Sequence, residues 1–379
     1  ADSYVGPHPE VGSMLNVNVS RTGAVTGVIV EGVTRRSFKA RLSSLSGNLA
    51  SPYLKVPLMG GSRQLELTFD AASNSLIAEL NTAPAAVAVG FGWRKVWNVT
   101  TNPSVAYKGR HNIYAENTGI SGPQGYGTLT ANVTTLSGSV TISGRLPDGN
   151  AITGSTFVGP QGQMRVYKSL YGHKGSAQGV LQITAAIGAP QTNYIFGGMD
   201  WYKPKQPSTS KDTVYKEGFG PLLMLCDGAY YERPAAGQIL GGVKPVAAGS
   251  TNTGLDFFLG GLDVEGAEFD QGTRLYNPST TSRTNRLQVI GAVTNAVKIT
   301  TFDSVTGIFT GSYKLPLPGS SPVVNRTVTF RGLIVPACGC ALGYGYFLLP
   351  QIPVAPQTLS TAPRLSGAVE LFDDSPLPP

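Results

Sequence analysis

A rhythm of short alternating runs, broken by glycine turns, constrains this chain more than any other feature. Residues 125–158 read GYGTLTANVTTLSGSVTISGRLPDGNAITGSTFV. Apolar and polar residues alternate there, as in strands that show one face to a core and the other to water. Comparable runs are 14–20 (MLNVNVS), 37–42 (SFKARL), 64–69 (QLELTF), 162–167 (GQMRVY), 194–201 (YIFGGMDW), 296–302 (AVKITTF) and 365–372 (LSGAVELF). Helical periodicity is nearly absent. Short connections between strands argue for antiparallel meanders rather than βαβ units. A long meander leaves bare edges unless it closes, which favours barrels. Asp148-Gly149 is the sharpest hairpin signal, because a two-residue type I′ turn needs positive φ at both positions.

Composition agrees with an all-β chain. Glycine (48) and proline (27) make up about a fifth of the 379 residues, which suits many tight turns. Hydrophobic residues at 41% can fill a core, which excludes a disordered chain. Charged residues are only 13%, against roughly 25% in ordinary soluble proteins. The net charge of +7 is scattered, with Arg35-Arg36, Arg94-Lys95 and Lys203/Lys205 as the densest groups. No basic run or aromatic-basic ribbon appears, so nucleic acid is not an expected partner. Anionic polysaccharide or a cell surface fits the charge. No apolar run is long enough for a membrane helix. The chain opens Ala1-Asp2-Ser3 without Met, as expected of an exported protein after cleavage of its signal.

Three segments rhyme: Thr22–Val28, Leu136–Gly144 and Thr306–Ser312 each begin at a turn glycine and carry a second glycine within the strand. In two cases the next strand brings an aromatic, Phe38 or Phe330. Mid-strand glycines suit tightly coiled barrel strands. The rhyme predicts two consecutive antiparallel meander β-barrels, over 1–202 and 214–379. Residues 203–213 (KPKQPSTSKDT) read as the linker. The irregular, Gly-rich stretch 214–283 falls in the second barrel's first strands and long loops.

The block from Gly125 through GHKGS (172–176) to MDWYKP (199–204) resembles an all-β two-barrel module. That module is common at the C-terminal ends of large exported or surface proteins of environmental bacteria. Thr306–Ser312, Phe330–Gly332, Gly343–Leu348, Ser366–Leu371 and Asp2–Gly6 extend the resemblance over nearly the whole chain. It implies export, an all-β fold and a structural or surface setting. It brings no catalytic residues.

Chemistry is sparse. Tyr171-Gly-His-Lys-Gly175 is the most catalytic-looking cluster, but no nucleophile or carboxylate neighbours His173, and a solvated turn is the expectation. Gly122–Gly127 precedes a strand, whereas a phosphate loop precedes a helix. Asp256, Asp263, Glu265, Glu268 and Asp270 read as a solvated acidic loop, with calcium the better functional option. Cys226, Cys338 and Cys340 allow one disulfide, from Cys226 to either of the others, and one free thiol. Trp93, Arg94 and Trp97 are the ligand-binding candidates: on a strand, residues four apart share a face, giving either a sugar-stacking platform or a barrel wall. No catalytic residue, cofactor or metal is expected. The expected function is a non-enzymatic extracellular or cell-surface structural protein that associates with itself through β-strand contacts, as a fibre or surface layer. A polysaccharide-binding module is the second reading.

Overall fold

The computed structural model describes residues 12–42, 53–58, 63–82, 86–185, 192–241, 243–260, 262, 268–336 and 342–374. It is all-β. Seven strands come first: β1 (Ser13–Val19), β2 (Ala24–Glu31) and β3 (Thr34–Arg41) in one sheet, then β4 (Tyr53–Leu58), β5 (Arg63–Asp70), β6 (Ser75–Thr82) and β7 (Ala86–Trp93) in another. The two sheets close over a small shared core that includes Val25, Phe38, Val56, Leu65 and Leu67.

A nearly closed eight-stranded antiparallel barrel follows. Its strands are β8 (Gly109–Asn117), β9 (Tyr126–Val133), β10 (Ser139–Arg145), β11 (Ala151–Phe157), β12 (Gln163–Leu170), β13 (Gly175–Ile183), β14 (Tyr194–Lys203) and β15 (Phe219–Tyr230). The hydrogen-bonded order runs β11-β10-β9-β8-β15-β14-β13-β12, so the last strand pairs with the first and an unbonded seam separates β11 from β12. A second such barrel holds β16 (Thr253–Phe258), β17 (Phe269–Tyr276), β18 (Arg286–Val289), β19 (Lys298–Asp303), β20 (Ile308–Pro316), β21 (Asn325–Ile334), β22 (Gly343–Pro350) and β23 (Arg364–Asp373). There β23 pairs with β16, and the seam lies between β18 and β19.

Two consecutive barrels are therefore present, but their limits differ from the expected 1–202 and 214–379. Residues 12–93 build a unit of their own, and β15 returns to the first barrel to bond both β14 and β8. The stretch 203–213 is no free linker. Arg364 N–H donates to Thr213 O (2.9 Å), and Val214 bridges to Arg364 in parallel, which pins this excursion against β23. Its Pro/Ser/Lys composition looked like a linker because turns and linkers share those residues.

Two of the rhyming glycines, and Gly332 on a neighbouring strand, have a packing reason. Gly27 lies opposite Phe38, Gly311 opposite Phe330, and Gly332 opposite Phe309 on the neighbouring strand. A Cβ on any of them would sit 2.0–2.3 Å from the phenyl Cζ. Each aromatic ring lies flat over a bare backbone and covers the glycine that its neighbour leaves open.

The Asp148-Gly149 turn also differs from expectation. β10 and β11 pair up to Arg145↔Ala151, so five residues make the connection. Only Gly149 takes positive φ (86°). Asp148 is drawn inward instead, for the reason given below.

The barrels meet over a tyrosine cluster. Tyr114 of β8 stacks on Tyr344 of β22 at 4.3 Å, and Tyr126 stands edge-on to both. Tyr126 donates its hydroxyl to Glu370 (2.6 Å), and Asn112 Nδ2 donates to Thr306 O and Ile334 O across the junction. Gly125 approaches so closely that a Cβ would lie 2.4 Å from Gly367 O.

The glycine–aromatic pairs give a direct prediction. Gly332→Ala is expected to cost about 1–3 kcal/mol by overpacking. Adding Phe309→Leu to the same chain is expected to recover part of that loss in urea unfolding. Strict additivity of the two changes would rule out the pairing.

Candidate functional site: a cleft beside two strand edges, and a buried ionic lock

A cleft of about 1030 Å³ opens between the N-terminal unit and the first barrel. One wall is β1, the other is the end of β7, and β11 with Arg165–Tyr167 of β12 lies below. Leu15, Val17, Phe69 and Leu76 make it apolar, while Arg21, Arg94, Lys95 and Arg165 give its rim positive charge. This volume sits at the upper end of the range for small-ligand sites. The cleft exists because β1 and β7 are the outer strands of the two N-terminal sheets and do not bond each other.

Two of the three candidate binding residues, Trp93 and Arg94, line the cleft; Trp97 does not. The expected shared face fails because β7 ends at Trp93. Trp97 packs on the first barrel instead. Its ring lies against Gly138 and edge-on to Tyr107 (5.4 Å), and its Nε1 donates to Gly159 O (3.2 Å). Trp93 rests on Gly159, where a Cβ would come within 2.4 Å of the indole Cδ1. Both indoles are half-buried and fasten the N-terminal unit to the barrel.

The other candidates fall out as follows. His173 and Lys174 are exposed on a one-turn 3-10 helix, and His173 Nδ1 meets Ser169 Oγ at 3.0 Å. The glycines of 122–127 lead into β9, and no helix follows. Asp256 lies in register with both Asp270 and Glu370 on adjacent strands. Burial and then these like charges push the Asp256 carboxyl up. Among the described residues no group of His, Cys, Asp or Glu is arranged to hold a metal. Asp263 and Glu265 lie outside the described residues. Cys226 is a free thiol in the first barrel's core rather than half of a bridge. Its position on an inward-facing site of β15 turns it away from any partner outside the barrel, and burial pushes it up to about 12. Cys338 and Cys340 lie outside the described residues.

Sequence reasoning missed a buried ionic cluster in the first barrel. Lys203 Nζ, fully buried, donates to Asp212 Oδ2 (2.7 Å) and Val214 O (2.5 Å). It lies 3.9 Å from Asp148 Oδ2 and 4.8 Å from the centre of the Tyr171 ring. Asp148 accepts from Tyr171 Oη (2.6 Å), Asn150 N (3.0 Å) and Asn150 Nδ2 (2.7 Å). Trp201 Nε1 completes the set by donating to Tyr171 Oη (3.0 Å). Burial pushes the Asp148 carboxyl up, while Tyr171, Asn150 and Lys203 pull it back toward ionisation. The signal was present in the parity of β14: Ile195, Met199 and Trp201 point inward, and Lys203 continues that phase. Sequence reasoning also missed the buried His111, which burial lowers to about 4, so it is neutral near pH 7.

The fold and this site define an all-β protein of two eight-stranded barrels and a seven-stranded N-terminal unit. Comparison with protein-family models, curated proteins and solved structures returns no match.

Lys203→Met is expected to destabilise the chain by about 3–5 kcal/mol, because it leaves the buried Asp148 carboxylate without its neighbouring cation. Lys203→Met with Asp148→Asn is expected to lose clearly less. Equal losses in denaturant unfolding would show that the lysine acts by packing alone.

Proposed function

We propose that the chain is a non-enzymatic structural protein of an exported or cell-surface setting, and that it associates with itself through β-strand edges. The observation that carries this reading is the pair of unbonded edges, β1 and β7, on either side of an apolar cleft. Strand edges present rows of free N–H and C=O groups that pair readily with another strand. The tyrosine junction and the pinned excursion add support, since they hold two barrels as a stiff body suited to a spacer. The exported setting rests on the resemblance of the 125–204 block. Sedimentation velocity over a wide concentration range tests the reading. Concentration-dependent association is expected, and a single 39.7 kDa species throughout would overturn it.

A second reading is favoured by the basic rim and Trp93 beside it: the cleft holds an anionic polysaccharide. Titration with polygalacturonate would then change the indole fluorescence of the native chain, and Trp93→Phe would abolish that change. A flat titration of the native chain would end this reading.

A further inference from the structure

Eight strands end a sheet among the described residues: β1, β3, β4, β7, β11, β12, β18 and β19. Natural sheets protect such ends with charge, proline, irregular register or brevity. β3 carries Arg35, Arg36, Lys39 and Arg41, and β4 contains Pro57. β12 has Arg165 and Lys168, and β18 is four residues long. β19 has Lys298, Asp303 and a register shift after Ile299. β11 is uncharged but faces β12 across the seam, where Lys168 Nζ reaches Thr153 Oγ1 (3.3 Å). β7 is uncharged, yet the Arg165 guanidinium occupies its Phe91 carbonyl. β1 alone has none of these devices. It holds no charge and no proline, and it keeps an unbroken seven-pair register with β2.

We propose that β1 is the association edge, pairing antiparallel with β1 of a second copy about a two-fold axis. The inference rests on the self-association reading and names its surface and symmetry. The three-stranded sheets of two copies become one six-stranded sheet. Centred on Asn16, the pairing sets Leu15 opposite Val17 of the second copy on the cleft side, apolar against apolar. Asn16 meets its own symmetry mate on the outer face, amide against amide. The uncharged strand lets two copies meet without opposing like charges, which β3 would not. Isologous pairing of this kind closes at a dimer. Residues 12–93 hold seven Lys and Arg against four Asp and Glu, so two N-terminal units repel each other at a distance. Added salt screens that repulsion and tightens the dimer.

The test is sedimentation equilibrium on the full chain with two variants at exposed Asn16, with near-UV circular dichroism to confirm folding. Asn16→Lys and Asn16→Asp are each expected to weaken dimerisation at least tenfold. An equimolar mixture of the two is expected to regain it as a heterodimer, which damage to folding would not allow. A native chain that dimerises, with both variants unchanged, overturns this inference and leaves self-association standing. A native chain that stays monomeric overturns both. Dimerisation that weakens with salt also overturns the inference, because it marks a charge-driven interface elsewhere.

Discussion

A lysine ammonium held inside a barrel end is the interaction on which the rest of this structure depends. Taking Lys203 out of water costs several kcal/mol, and the surroundings return that only if each donor finds an acceptor. Asp212 and Val214 O supply two acceptors, and the Asp148 carboxylate and Tyr171 ring close the remaining side. The acceptors come from separate parts of the chain. Asp148 belongs to the β10–β11 turn, Tyr171 follows β12, and Asp212 and Val214 lie on the excursion before β15. One cation thereby fixes a turn, a strand end and a long connection. Tyr215, one residue beyond, carries the constraint into the second barrel, where its hydroxyl accepts from Ser366 N–H (2.9 Å).

This cluster also draws together pieces of the 125–204 block. Its DG, LYG and WYKP pieces are far apart in sequence, yet Asp148, Tyr171, Trp201 and Lys203 converge on one point. Their conjunction serves architecture. They face inward, and none of them lines the cleft.

How much was legible in the sequence follows from the range of each signal. Alternation is local, and it located strands such as Gln64–Phe69 and Tyr126–Val133 well. Mid-strand glycines paired with later aromatics also spoke through neighbouring strands, so Gly27 with Phe38 was visible as a rhyme. Domain limits were not legible, because β15 lies after a Pro/Ser/Lys-rich stretch and only hydrogen bonding to β8 shows where it belongs. The Trp93/Trp97 platform failed because the strand stops at Trp93, four residues short of Trp97, and strand parity says nothing past its end. The cleft edge was invisible for another reason. A bare strand looks the same in sequence whether or not a neighbour bonds it.

The closure of the first barrel has a consequence in time as well as space. β8 bonds β15, whose residues are made more than a hundred positions later on the ribosome. Until Tyr230 has emerged, β8 and β14 both face an unfilled lane. Without β15, hydrogen bonding leaves two separate sheets, β8–β11 and β12–β14, that meet only across the unbonded seam, with core side chains exposed along the open lane. Such distant pairing slows folding, since the loop must close before the contacts reward it. The N-terminal unit, built from neighbouring hairpins, can be complete by then and stand as a finished wall beside a barrel still waiting for its last strand.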